Sequence, residues 1–158
     1  MSPVLANRAL FILSLAGIGV SAYLTIAYVK GANLGCVAGS DCDVVRESRY
    51  AWGLGIDALR AIPTPAAGMA AYMLLAALSF ARVASPDRRV LAKAQFILAV
   101  PMLAISAYLT YLEAYVIHAW CQWCVLSAVL STVIFLVAGA EQISAARPGP
   151  GAIREELG

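Results

Sequence analysis

Residues 118–140 read HAWCQWCVLSAVLSTVIFLVAGA, a Cys-Gln-Trp-Cys motif opening an apolar run long enough to cross a membrane. A spanning helix needs roughly 20 apolar residues at about 1.5 Å rise each. Three further stretches meet that requirement, at about 9–29, 64–84 and 90–112. Only small or weakly polar residues interrupt them, with Gln95 the main exception. Pro101 is expected to kink the third helix without ending it. The chain therefore reads as an all-α integral membrane protein. We expect a four-transmembrane-helix bundle within residues 1–146, an outer loop at 30–63 and a disordered tail at 147–158.

Composition agrees. Of 158 residues, 62% are hydrophobic and 13% charged, against about 45–50% apolar and about 25% charged in soluble domains. Such an excess needs lipid as solvent for much of the surface. A formal charge of +2 gives no reason to expect nucleic acid, and a single histidine excludes a His-rich metal site. The first stretch is longer than the h-region of a secretory signal and lacks a small-residue cleavage site. Asn33 stands where a lipoprotein site would need leucine before Cys36.

The link between the second and third stretches carries Arg82, Arg88, Arg89 and Lys93 against Asp87. Arg8, Arg147 and Arg154 flank the outer ends of the first and fourth. The positive-inside rule then puts both termini in the cytoplasm and loop 30–63, with Cys121 and Cys124, on the other side. That loop is electrically balanced and argues neither way. Gly17, Ser21, Ala66, Ala67, Ala70 and Ala71 offer small-residue surfaces that let the first two helices approach closely. In the loop, Val44, Val45 and Tyr50 suggest one apolar side, Asp41 or Asp43 a helix cap, and Trp52, Leu54 and Ile56 a lid resting on the bundle.

The four cysteines carry the chemistry. Disulfides persist in a non-cytoplasmic, oxidising compartment. Cys121 and Cys124 lie three apart and so share a helix face. The partial positive charge of a helix start favours thiolate. Cys121 is the expected exchange thiol, and Cys124, one turn deeper, could meet an apolar acceptor. Three plainer readings compete: inert buried thiols, a structural Cys36–Cys42 staple, and a zinc site. Zinc is disfavoured because the five-residue gap between Cys36 and Cys42 exceeds the usual ligand spacing.

These residues together resemble the vitamin K epoxide reductase family, in particular its bacterial quinone-coupled members. The elements carrying the resemblance are Cys36-x5-Cys42, the run from Cys42 through Val44, Val45, Ser48, Arg49 and Tyr50, the Tyr-rich third helix, and Trp120-Cys121-x-x-Cys124. They span roughly residues 9–140. The resemblance implies a membrane thiol oxidoreductase in the bacterial plasma membrane, supporting disulfide formation. In it Cys36 would exchange with a thioredoxin-like extracytoplasmic protein, Cys42 would pass electrons to Cys121, and Cys124 would face the quinone (ubiquinone or menaquinone). It implies a quinone-side role for Ser48. Many bacterial relatives carry a fifth helix and a fused thioredoxin-like domain, so four helices here imply a separate partner. The chain is also several residues longer than many relatives between Tyr50 and Pro63.

Energetics favours a quinone. A strongly oxidising disulfide donor has a potential of about −120 mV, and passing its electrons to a glutathione-like pool at about −200 mV would cost nearly ~4 kcal/mol. No feature suggests flavin or nicotinamide. Tyr111 and Leu112 are the first candidates for ring contacts, followed by Met69 and Tyr72. Tyr108, Tyr111 and Tyr115, with Trp120 and Trp123, also fit an ordinary interfacial aromatic belt. Glu113 and His118 flank the turn before Cys121, where quinone reduction would need protons; solvation at the water boundary is the expectation, with a proton relay the alternative. Two alternatives remain: a vitamin K epoxide reductase proper, using the same cysteines on an epoxide, and a non-enzymatic membrane scaffold with a stapled loop.

Overall fold

The computed structural model describes residues 2–37, 40–85 and 88–146, so the tail at 147–158 and Asp87 lie outside the described residues. Four helices are long and apolar enough to span a membrane. Helix α1 runs Pro3–Lys30. The Ser2 hydroxyl accepts from the Leu5 N–H at its start (3.3 Å), and Gly31 ends it in the left-handed region at φ 61°. A short α2, Cys42–Glu47, lies in the loop. Helix α3 is Thr64–Ala84, α4 is Arg88–Leu112 and α5 is Gln122–Ala146. The chain is all-α: among the described residues, extended pairing is limited to one bridge between Trp52 and Pro63.

Two helix ends differ from the hydropathy reading. Helix α1 begins at Pro3, not near 9, because its first turn is capped and tolerates proline. Helix α5 begins at Gln122, not 118. Beyond Leu112 the chain widens into one π-helical turn, Glu113–Ile117. His118 then takes φ 54° and the Ala119 N–H turns back to the Glu113 carbonyl (3.1 Å). Residues 118–121 are therefore free to reach the loop. Helix α4 passes through Pro101 without ending.

Helix α1 packs chiefly on α3, and α4 on α5. Gly17 lets α3 approach: a Cβ there would lie 2.4 Å from the Tyr72 ring. Ala67 and Ala71 border the cavity described below, whereas Ala70 is exposed. The Tyr72 ring cannot retreat, because its hydroxyl lies 3.2 Å from both the Ser127 and Ser131 hydroxyls on α5. Gly17→Ala should therefore destabilise the bundle by about 1–3 kcal/mol through overpacking, read as a lowered unfolding midpoint in detergent. An unchanged midpoint would show that α1 and α3 can move apart freely.

At the end of the bundle where α1 begins and α5 ends, a polar cluster ties all four long helices together. Arg82 on α3 pairs with Glu141 on α5 and donates to Gln95 Oε1 on α4 (2.8 Å). Gln95 donates in turn to Asn7 Oδ1 on α1 (3.1 Å) and to Ser79 Oγ (2.8 Å). Arg82 is only 4% exposed, so it is not a free basic charge of the α3–α4 link as the sequence suggested. A buried guanidinium needs a paired anion, and Glu141 supplies it. Gln95, the polar interruption of the third stretch, is a junction of this cluster.

The loop 31–63 folds over the opposite end. Val45 and Ala51 are buried, Trp52 packs against the Tyr28 ring (6.3 Å between centroids) and Leu54 faces the cavity. Val44 and Ile56 are exposed and do not join this contact. Asp41 stands at the start of α2, but neither it nor Asp43 caps the helix with its carboxylate. The Asp41 N–H is held by the Trp120 carbonyl (2.9 Å), and Asp43 pairs with Arg46 (3.1 Å).

Candidate active site

All four cysteines meet at the loop end. Cys42 and Cys121 are both buried in one apolar cluster with Leu24, Tyr28, Leu34 and Val45, and Cys36 and Cys124 pack against it. Cys36 and Cys42 form a disulfide, their Cα atoms 6.4 Å apart, while Cys121 and Cys124 are thiols. Three contacts set this arrangement. The backbone bond from Asp41 to Trp120 joins the residue before Cys42 to the residue before Cys121. Gln122 Oε1 accepts from the Val37 N–H (3.1 Å), just past Cys36. Trp123 Nε1 donates to the Leu34 carbonyl (3.0 Å), which also accepts from Tyr23 Oη (3.0 Å). The two middle residues of Cys-Gln-Trp-Cys are thus clamps on the loop that carries Cys36. Sequence reasoning missed this use, although a side-chain amide and an indole N–H inside the motif were its visible signal.

Cys121 stands immediately before α5, and its carbonyl accepts the Val125 N–H (3.0 Å). The Cys124 thiol, with the N–H groups of Cys124 and Trp123, holds the Cys121 thiol below the ordinary cysteine value. Burial and the Glu113 carboxylate oppose that shift without reversing it. Cys121 is on these grounds the more readily ionised thiol of the pair.

The family model for the vitamin K epoxide reductase family matches residues 8–138. The chain belongs to that family. No curated protein matches the chain. Family membership makes this a membrane oxidoreductase of the thiol-disulfide type, in a family whose members use quinones as electron partners and generally work with thioredoxin-like proteins.

Behind Cys124 lies a cavity of about 340 Å³, bordered by all four long helices and the loop. That volume falls in the range of small-molecule sites, about 300–1,000 Å³. Its wall is mostly apolar, from residues such as Leu98, Met102, Ile105 and Leu109, with scattered hydroxyls and two groups of polar side chains. Tyr72, Ser127 and Ser131 form the deep one; Tyr28, Ser48, Glu113 and Cys124 line the one beside the cysteines. Among the residues expected to meet a quinone, Ser48, Leu112 and Tyr72 border this cavity. Ser48 Oγ donates to the Val45 carbonyl (2.7 Å). Tyr111 is 55% exposed and stacks on Tyr115, and neither it nor Met69 is among the lining residues.

Glu113 differs most from expectation. It is only 3% exposed, and its Oε2 accepts the Cys121 N–H (3.1 Å). The π-helical turn rotates it inward, so it leaves the water boundary and joins the cavity wall. His118 remains exposed. Among the described residues no group of three or more His, Cys, Asp or Glu side chains forms a metal site.

Proposed function

We propose that this chain oxidises the dithiol of a separate thioredoxin-like protein on the non-cytoplasmic side and passes the electrons to a membrane quinone, ubiquinone or menaquinone. The observation carrying this reading is that both cysteine pairs share one buried cluster, with an apolar cavity directly behind Cys124. Partly buried Cys36, rather than Cys42 at 2% exposure, is the member a partner thiol can reach. Its displacement frees Cys42 to reduce a Cys121–Cys124 disulfide, and re-closure of Cys36–Cys42 leaves the inner pair as thiols. That is the redox state of the described structure. A bound quinone supplies the two-electron oxidant that closes Cys121–Cys124 again. The lining fits such a group, since the wall is mostly apolar and carries hydroxyl-bearing side chains that ring oxygens could meet. Ser48, Tyr72 and Leu112 are its proposed contacts.

The same reading puts the chain in the bacterial plasma membrane with both termini cytoplasmic. Exposed Arg8, Arg88, Arg89 and Lys93 support this orientation even with Arg82 withdrawn into its buried pair. The test is direct. Protein in lipid should reduce a ubiquinone or menaquinone analogue only when a reduced thioredoxin-like protein is supplied. Turnover of vitamin K epoxide in place of quinone would favour the epoxide reductase reading, and turnover of neither would defeat both.

A further inference from the structure

Two polar groups beside Cys124 are unexplained by the fold. The Tyr28 residue is 6% exposed and borders the cavity, and none of the side-chain hydrogen bonds among the described residues involves its hydroxyl. No buried side-chain nitrogen or oxygen among the described residues lacks a partner, so this hydroxyl opens onto the cavity and is not sealed in the wall. Its position is accounted for if a ligand oxygen completes the bond. The Glu113 carboxylate is buried, has no ion-pair partner among the described residues, accepts the Cys121 N–H and shares the cavity wall with Cys124. Tyr28 lies within electrostatic reach of Cys121, Cys124 and Glu113, and Arg46 on the loop is the cation that acts on it. The wall elsewhere is apolar or hydroxyl-bearing, so Glu113 is the only carboxylate bordering the cavity among the described residues.

We propose that Glu113 carries a proton from the Cys124 thiol to the acceptor's carbonyl oxygen, while the Tyr28 hydroxyl donates a hydrogen bond that holds that oxygen in place. This rests on the quinone reading above and names the proton path it requires. The reaction balances as follows. The Cys121 and Cys124 sulfurs lose two electrons and form one S–S bond, and the acceptor gains both electrons. Of the two protons it takes up, one passes from Cys124 through the Glu113 carboxylate, which ends unchanged. The other comes from water and replaces the proton Cys121 gave to water on ionising. General acid–base help of this kind is typically worth about 10²–10⁴-fold.

The test uses the full chain in lipid vesicles. Glu113→Gln keeps an oxygen for the Cys121 N–H but cannot carry a proton. It should lower kcat for quinone reduction by about 10²-fold or more, leaving KM within about twofold. Exchange of Cys36–Cys42 with an external dithiol should continue, and Glu113→Asp should restore part of the rate. Redox-difference infrared spectra should show a deuterium-sensitive carboxyl band in the wild type that Glu113→Gln lacks. Tyr28→Phe should weaken binding of a quinone analogue, read by tryptophan fluorescence, by about 2–10-fold. Wild-type quinone turnover in Glu113→Gln, or the carboxyl band persisting in it, overturns the proposal. If Glu113→Gln does not fold, Tyr28→Phe decides, and undiminished analogue binding overturns it. A wild-type chain that reduces no quinone sinks the underlying reading instead.

Discussion

A chain carrying Cys36→Ser and Cys124→Ser is expected to accumulate a Cys42–Cys121 disulfide on mild oxidation. Each substitution removes the thiol that would resolve that bond, and the two sulfurs left are those buried together in the loop-end cluster. The backbone bond between Asp41 and Trp120 holds the preceding residues side by side, so exchange needs no refolding of the loop. Rapid alkylation followed by mass spectrometry reads the pairing directly. Cys121→Ser alone should cut dithiol-driven quinone reduction by at least about three orders of magnitude, because Cys121 is the inner thiol buried in the cluster with Cys42. Absence of the trapped bond together with no quinone turnover would leave the non-enzymatic scaffold as the better reading, and full turnover by Cys121→Ser would defeat the relay.

Glu141→Ala should be the most destabilising single change at the opposite end of the bundle. It strands the Arg82 guanidinium, which is buried against Glu141 and Gln95. Breaking a buried pair by removing one partner costs about 3–5 kcal/mol. Replacing both charges with apolar groups of similar volume, Arg82→Met with Glu141→Leu, should recover most of that loss, since the desolvation cost of both ions disappears as well. Denaturant or SDS titration in micelles measures both variants. Equal destabilisation in the single and double variants would mean that packing, not the charge pair, holds this end together.

Neither buried acid was recognised in advance, and the reasons are physical. Glu113 sits near the end of an apolar stretch, where a carboxylate ordinarily reaches water. Only the π-helical turn at Glu113–Ile117 rotates it inward. Arg82 is next to a basic link and reads as one more interfacial cation until Glu141, 59 positions away in sequence, is seen to meet it. Tyr111 and Leu112 both read as ring contacts from the family resemblance and their place on the Tyr-rich third helix. The two nevertheless point to different sides of one helix, Tyr111 outward and Leu112 inward.

Length and apolarity of four runs were enough to establish a helical membrane bundle, because lipid leaves a spanning backbone no partner but itself. Cysteine spacing was enough to indicate thiol exchange, because residues three apart on a helix are neighbours whatever surrounds them. Which polar groups are buried, which clamp the loop through Gln122 and Trp123, and which enclose the cavity behind Cys124 was decided only by tertiary structure. Those properties depend on the rotation of each helix about its axis and on contacts between distant segments, and hydropathy averaged along a chain carries neither.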